Sequence, residues 1–251
     1  MHKLKVSIIT PCYNSGATIQ DTINSVRCQS YNNIEHIFVD GGSTDATLMV
    51  IEQYEKNSIN VVYVSEPDKG IYDAMNKGIR LATGDIIGIL NSDDFLAGAR
   101  IIEQIVNAFE ESRCDVLYGN INYVNPIDTR EVQREWVAGR GKFENGWSFG
   151  HPSMYVHKRL YDEFGLYKTE YRIASDYDFM LRLNRMGRST KFHYLDELIV
   201  TMRNGGESTR NFWSNCVGFM EAQRSLKEYE YEHPTLVNIA RVLRKLKQFG
   251  A

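Results

Sequence analysis

The feature that most restricts this chain is a change of hydrophobic period, repeated over its first 120 residues. Short apolar runs, "VSIIT" (6–10), "IEHIFVD" (34–40), "NVVYVSE" (60–66), "DIIGILN" (85–91) and "DVLYGN" (115–120), read as strands. Between them, apolar residues recur at helical spacing: Ile19, Ile23 and Val26; Leu48, Ile51 and Tyr54; "IYDAMNKGIRLA" (71–82); and residues 98–112. Such alternation predicts an α/β fold with a mostly parallel, doubly wound sheet and helices on both faces. In that architecture ligands bind beyond the carboxyl ends of the strands. Those ends read "TPCYN", "VDGGSTD", "SEPDKG" and "LNSDD". Each is polar, tight-turning or charged, and four in succession predict one binding edge.

After residue 120 the pattern loosens. Residues 121–150 carry aromatics and charges without a clear period. Helices are expected around "KRLYDEFG" and over "DYDFMLRLNRMG" (176–187), and strand material over "KFHYLDELIVTMR" (191–203). The tail, 211–251, reads as two amphipathic helices separated near Pro234. We therefore expect one compact domain over 1–210, regular over 1–120 and less regular over 121–210, followed by a helical appendage over 211–251. The last helix carries Leu236, Ile239, Val242, Leu243 and Leu246 on one stripe, flanked by Arg241, Arg244, Lys245 and Lys247. Packing on the domain or on a second copy in a homodimer is the favoured reading, ahead of peripheral contact with an anionic membrane.

Bulk charge narrows the partners. Lysine plus arginine total 29 against 32 acidic residues, a net charge of −3, so no global basic field recruits nucleic acid. The apolar runs are too short to span a bilayer, and the N-terminus lacks the long apolar segment of a signal peptide. Cys12, Cys28, Cys114 and Cys216 form no CxxC pair, which argues against zinc and for a reduced, cytoplasmic setting.

Asp93 and Asp94 carry the clearest chemical signal. Adjacent carboxylates at the mouth of an apolar strand repel each other unless a cation compensates them. Mg²⁺ suits the place, since it takes one or two protein carboxylates and fills its other positions with phosphates and water. A helix cap is the bland alternative. Asp40 is suited to accept hydrogen bonds from a nucleobase or ribose, beside two glycines and Ser43. Lys69 is suited to neutralise a diphosphate. No G-x-G-x-x-G follows the first strand, and no G-x-x-x-x-G-K-[ST] occurs, which disfavours dinucleotide and P-loop sites.

Together these segments resemble glycosyltransferase family 2, inverting enzymes of the GT-A fold, of the bacterial polysaccharide-biosynthesis type. The likeness runs from "VSIITPCYN" to "MRNGGEST". It implies that Pro11, Tyr13 and Asn14 border the donor nucleotide. It sets Asp40 at the base within V-D-G-G-S, where Ser43 also lies, and Lys69 and Asn76 near the base and diphosphate. "NSDD" is similar to the family's D-x-D region with Asn91 in place of the first acid. Asp93 would then meet the sugar, and Asp93 and Asp94 the metal, Mg²⁺ or Mn²⁺. "ASDYDFMLRL" resembles the acceptor-helix motif and implies Asp176 as catalytic base, with Ser175 in place of a glutamate. "WSFGHPSMYV" implies an acceptor-side place for His151. On a helix Asp178 points about 200° away from Asp176, so only one of the two can face the site.

The implied function is inverting, metal-dependent transfer of a single sugar from a nucleotide-diphospho-sugar, a UDP-sugar first, to a hydroxyl of a glycan or lipid-linked acceptor. "GIYDAMNKGI" is similar to enzymes of exopolysaccharide and O-antigen clusters, which places the activity in the cytoplasm or at the inner face of the plasma membrane. A nucleotidyltransferase, a non-catalytic nucleotide-sugar-binding module and, a distant third, an oxidoreductase with an unusual dinucleotide site are the rivals. The first would need a basic phosphate loop after the first strand, and "TPCYNSGAT" has none.

Overall fold

The computed structural model describes residues 3–58, 60–187, 189–205 and 212–247. Gly206, Glu207, Ser208 and Thr209, at the end of the "MRNGGEST" segment, and the side chains of Leu246 and Lys247 lie outside the described residues. The expected strands appear as β1 (Val6–Cys12), β2 (Ile34–Asp40), β3 (Val61–Ser65), β4 (Ile86–Ile89), β6 (Val116–Val124) and β9 (Phe192–Arg203). The expected helices appear as α1 (Ile19–Arg27), α2 (Thr47–Lys56), α3 (Ile71–Leu81), α4 (Ile101–Ser112), α5 (Arg159–Phe164), α6 (Ser175–Met186), α7 (Phe212–Glu228) and α8 (Pro234–Lys247). Three short strands had no clear sequence signal: β5 (Phe95–Leu96), β7 (Val132–Trp136) and β8 (Tyr155–His157).

All described strands join one mixed sheet in the order β3-β2-β1-β4-β8-β6-β9-β5, with β7 paired to β6. β1 through β4, β6 and β9 run one way; β5, β7 and β8 run against them. The sheet is thus mostly parallel, with β8 inserted antiparallel between β4 and β6. Register aligns the binding edge. Cys12 pairs with Asp40, and Asp40 with Ser65, so three strand ends stand side by side.

Alternation of side chains along the strands feeds three apolar clusters, one of them formed by Cys12, Ile19, Ile23, Phe38 and Ile51. Ile9, Ile37, Val39, Ile87 and Ile89 pack with helix residues such as Met75, Ile79, Phe179 and Leu183. Val6, Ile8, Ile86 and Leu90 pack on the other side with Ile102, Ile105 and Phe109. Two glycines permit close approaches here. A Cβ on Gly78 of α3 would lie 2.3 Å from Ile9 Cγ2, and one on Gly88 of β4 would lie 2.4 Å from the Tyr155 ring. This explains the single break in the apolar run of β4.

The tail folds back onto the second half. Ala222 and Leu226 of α7 join the cluster of Ile9 and Phe179. α8 crosses the turn at Phe143–Asn145 so closely that a Cβ on Gly146 would lie 2.5 Å from the Arg241 nitrogen. Its inner face is formed by Val237, Asn238 and Arg241, while Leu236, Ile239, Val242 and Leu243 of the apolar stripe point to solvent.

Candidate active site

The first strand ends form a tightly tied platform. Asn14 takes a left-handed conformation, φ +49°, which lets its N–H donate to Ser43 Oγ (2.8 Å) while its Oδ1 accepts from Thr44 N (2.9 Å). Asp40 is fully buried, and its Oδ2 accepts from Gly42 N (3.1 Å), Ser43 N (3.0 Å) and Ser65 Oγ (2.7 Å). Ser43 Oγ donates to its Oδ1. Asp40 therefore pins the turn after β2 to the end of β3. Pro11 is buried within β1, whereas Tyr13 is 64% exposed above the platform. The bare backbone of Gly41 lies between the Tyr13 ring and the Asp68 carboxylate, 3.4 and 2.6 Å from where a Cβ would sit. An aromatic face and an acceptor oxygen thus flank a gap that only glycine leaves open.

The acid pair is divided by its surroundings. Asp94 is 1% exposed; its Oδ1 accepts from Arg203 N (3.2 Å) and its Oδ2 from Asn91 Nδ2 (3.0 Å). Arg203, at the end of β9, donates to Asp93 O and pairs with Asp21. Burial, and then the charge of Asp93, push the Asp94 carboxyl well above the usual carboxylate range. Burial also raises Asp93, against the pull of Arg203. The half-buried Asp93 carboxylate accepts no hydrogen bond from another described residue, and the buried Oδ1 of Asn91 beside it has no partner. Two unsatisfied oxygen acceptors on one loop fit an oxygen-ligated divalent cation that completes its shell with phosphate and water. Among the described residues no three His, Cys, Asp or Glu side chains converge as a cage, so any such ion would draw most of its ligands from its substrate.

Asp176 is half-buried in the first turn of α6. Its Oδ1 accepts from Tyr177 N (2.8 Å) and Tyr72 Oη (3.3 Å), and its Oδ2 accepts from no described residue. Glu221 of α7 seats the segment before the helix, accepting from Arg172 N (2.7 Å), Ile173 N (2.9 Å) and Ala174 N (2.9 Å). Tyr123 of β6 feels the charges of both Asp94 and Asp176, and burial pushes its hydroxyl up to about 12. Arg134 of β7 stacks on that ring at 3.6 Å.

Asp178 has a different role. It is fully buried and meets Lys168 Nζ (3.0 Å), Ser225 Oγ (2.8 Å), Arg182 (3.1 Å) and Tyr229 Oη (3.1 Å). It ties α6 to α7 and has no oxygen left for substrate. His151 is buried, its Nε2 2.8 Å from Tyr167 Oη, and burial pushes its pKa down against the opposing charge of Asp176. Asn76 is buried on α3, where both ends of its amide bond the Tyr167 backbone (2.8 and 3.0 Å). Lys69 is exposed just before α3. Among the residues expected at the site, Tyr13 is exposed, and Asp93 and Asp176 are half-buried and each keep a carboxylate oxygen that accepts from no other described residue, whereas Asp40, Asn76, Asp94 and His151 are buried and hydrogen-bonded. Sequence reasoning did not single out Tyr123, Arg134, Arg203 or Glu221.

The family model for glycosyl transferase family 2 matches residues 7–185, across β1 to α6. The chain belongs to glycosyltransferase family 2. A "PGL/p-HBAD biosynthesis glycosyltransferase" of Mycobacterium bovis is 31% identical over 183 residues, 70% of this chain and 68% of that one. Among solved structures, Staphylococcus aureus TarS 1-349 in complex with UDP-GlcNAc superposes with a TM-score of 0.71 at 20% identity, covering 90% of this chain and 66% of that one. The chain spans only 39% of a longer TarS chain. The mannosyltransferase PcManGT of Pyrobaculum calidifontis, in complex with GDP-Man and Mn²⁺, gives a TM-score of 0.67 at 17% identity, covering 100% of this chain and 76% of that one. These structures share the GT-A fold with this family 2 glycosyltransferase.

Proposed function

We propose that this glycosyltransferase moves a single sugar from a nucleotide-diphospho-sugar, a UDP-sugar first, to a hydroxyl of a glycan or lipid-linked acceptor, with inversion at the anomeric carbon. The observation that carries this reading is the state of Asp176. One carboxylate oxygen accepts from Tyr177 N and lies 3.3 Å from Tyr72 Oη, and the other accepts from no described residue, while Tyr123 feels the charges of both Asp176 and Asp94. A general base needs that arrangement: fixed orientation with one free lone pair.

Asp176 Oδ2 takes the proton of the acceptor hydroxyl. The hydroxyl oxygen then bonds to the anomeric carbon from the face opposite the leaving group. The bond from that carbon to the β-phosphate oxygen breaks, and the nucleoside diphosphate leaves as an anion without a proton donor. Asp93 would hold Mg²⁺ or Mn²⁺, with Asn91 Oδ1 beside it and Asp94 and Arg203 fixing the loop from behind. Such an ion, when bound, supplies Lewis-acid stabilisation of the leaving diphosphate. Tyr13 and Asp68, flanking Gly41, would receive the base by stacking and by hydrogen bonding to a base N–H. The platform tied by Asn14, Asp40 and Ser43 holds both in place, and Lys69 lies within reach of the diphosphate edge.

No helix among the described residues is long and apolar enough to cross a membrane. The outward stripe of α8, with Trp213 and Met220 of α7 also exposed, suits peripheral contact with the inner face of a plasma membrane, where a lipid-linked acceptor of surface polysaccharide synthesis would be met. The test is nucleotide release from a panel of UDP- and GDP-sugars with hydroxyl acceptors, in the presence of Mn²⁺. One donor should turn over in the wild-type chain and none in Asp176→Asn. Undiminished transfer by Asp176→Asn would contradict the assignment.

A further inference from the structure

The base sits at the start of a helix that supplies no cap of its own. Ala174 precedes α6, its carbonyl accepts the first intrahelical bond from Asp178 N (2.9 Å), and it has no side-chain cap. The hydroxyl of Ser175, an ordinary capping group, is buried and has no partner among the described residues. The cap comes instead from 47 residues away. Glu221 of α7 turns both carboxylate oxygens to backbone: Oε1 accepts from Arg172 N, and Oε2 from Ile173 N and Ala174 N. A carboxylate suits this end of a helix, where unpaired N–H groups concentrate partial positive charge.

One face of α7 grips this segment, not a single contact. A Cβ on Gly218, three residues before Glu221, would lie 2.9 Å from Ile173 Cγ2, so the glycine lets the helix press close. Four residues after Glu221, Ser225 Oγ donates to Asp178 Oδ1 (2.8 Å) and lies 3.2 Å from Tyr171 Oη. From α3, Tyr72 Oη donates to Ile173 O (2.8 Å) and lies 3.3 Å from Asp176 Oδ1. Its hydroxyl feels the charges of both Asp176 and Glu221. Residues 172–174 are thus held by their N–H groups from the tail and by one carbonyl from α3, and Asp176 follows two residues on. Glu221 lies beyond the residues that the family model matches, 7–185.

We infer that Glu221 is a positioning residue for Asp176, and that α7 is thereby part of the catalytic apparatus, not an appendage to it. This rests on the reading of Asp176 as the base of glycosyl transfer. A general base must hold its free oxygen where the acceptor hydroxyl arrives, and a misplacement of about 1 Å costs on the order of 10²-fold in rate. Without the Glu221 carboxylate, three neighbouring amides lose their acceptor together. They regain partners only from water or by moving the backbone, and that movement begins two residues from the base.

The test is steady-state kinetics on the full chain, with rates referred to the folded fraction and UDP affinity measured by calorimetry with Mn²⁺. Glu221→Ala should lower kcat about 10- to 100-fold and leave donor KM and UDP affinity within about twofold. Glu221→Gln keeps one carbonyl acceptor, so it should fall between Ala and wild type, and it takes the place of Glu221→Ala if that variant unfolds. A positioning residue acts through another, so in the Asp176→Asn background the same substitution should change the residual rate by less than about twofold. Three results would overturn the inference: unchanged kcat in both variants, a parallel loss of UDP affinity, or a loss of the same size with and without the Asp176 carboxylate. Amide exchange at residues 172–174 separates this inference from the reading beneath it. Undiminished transfer by Asp176→Asn would sink the base assignment, and exchange would then decide the seat alone: faster in Glu221→Ala supports it, and unchanged overturns it.

Discussion

Asp176 and Asp178 differ by two positions and by everything around them. Asp176 keeps one oxygen open, while Asp178 spends both on four partners. Asp176→Asn should therefore leave the melting temperature near wild type and lower kcat by about 10²–10⁴-fold. Asp178→Asn should act on stability instead. It removes the charge opposite Lys168 and Arg182 in a buried site, a loss of about 3–5 kcal/mol in a urea titration. The acid pair after β4 should split in the same way. Asp93→Asn should remove the Mn²⁺ dependence of UDP binding with little change in folding. Asp94→Asn should cost stability through its ties to Arg203 and Asn91, with metal response measured on the folded fraction. At this scale the sequence indicated that only one of Asp176 and Asp178 could face the site, and left the choice to resemblance. Asp40 and Asn76 show why. Both are polar residues at plausible ligand positions, yet Asp40 closes its own turn and Asn76 closes onto Tyr167, a partner 91 residues away that no local pattern reveals.

Elements were legible where the period was clean. β1 to β4 and the helices between them follow directly from alternation, because strands buried on both faces read as continuous apolar runs. β7 and β8 did not, since they are five and three residues long, carry no clean apolar run and are stabilised by pairing with β6 and β4. α8 was legible as a helix but not in its orientation. The apolar stripe faces outward, and the packed face carries Val237, Asn238 and Arg241, because the inner neighbours are a polar turn and the ring of Tyr177. The single glycine of β4 is a packing requirement. Gly88→Ala should cost about 1–3 kcal/mol by urea titration, because the new methyl meets the Tyr155 ring. A neutral outcome would mean that β8 yields more readily than its antiparallel pairing suggests.

Across the whole molecule, the two ends of the strands carry different polar networks. At the end away from the acid pair, burial alone would raise the Glu35 carboxyl, but hydrogen bonds from Lys5, Ser7 and Thr83 outweigh it and hold the group at about 2. His36 next to it is pushed down to about 3 by burial. Both folded values lie below the unfolded ones, so the unfolded chain takes up protons first and stability falls with acidification. Loss should begin near pH 6.5 through His36, and Glu35 should add to it below about 4.5. Thermal unfolding across pH 7 to 3 checks this, and Glu35→Gln should flatten only the lower limb. The parallel strands β1 to β4 and the apolar clusters beside them followed from patterning. The seating of the tail helix did not, because it depends on contacts of Arg241 with Tyr177 and of Lys245 with Trp136 that only folding brings together.

The central claim is that a divalent ion joins Asp93 to the diphosphate of a bound nucleotide. Anomalous diffraction at the manganese edge, from crystals grown with UDP and Mn²⁺, tests it directly. The predicted result is one peak at coordination distance, about 2.1 Å, from an Asp93 carboxylate oxygen and from oxygens of both phosphates, with uracil stacked on Tyr13. A nucleotide bound away from the ends of β1, β2 and β4, or an Asp93 carboxylate engaged by backbone amides with no ion beside it, would contradict the account.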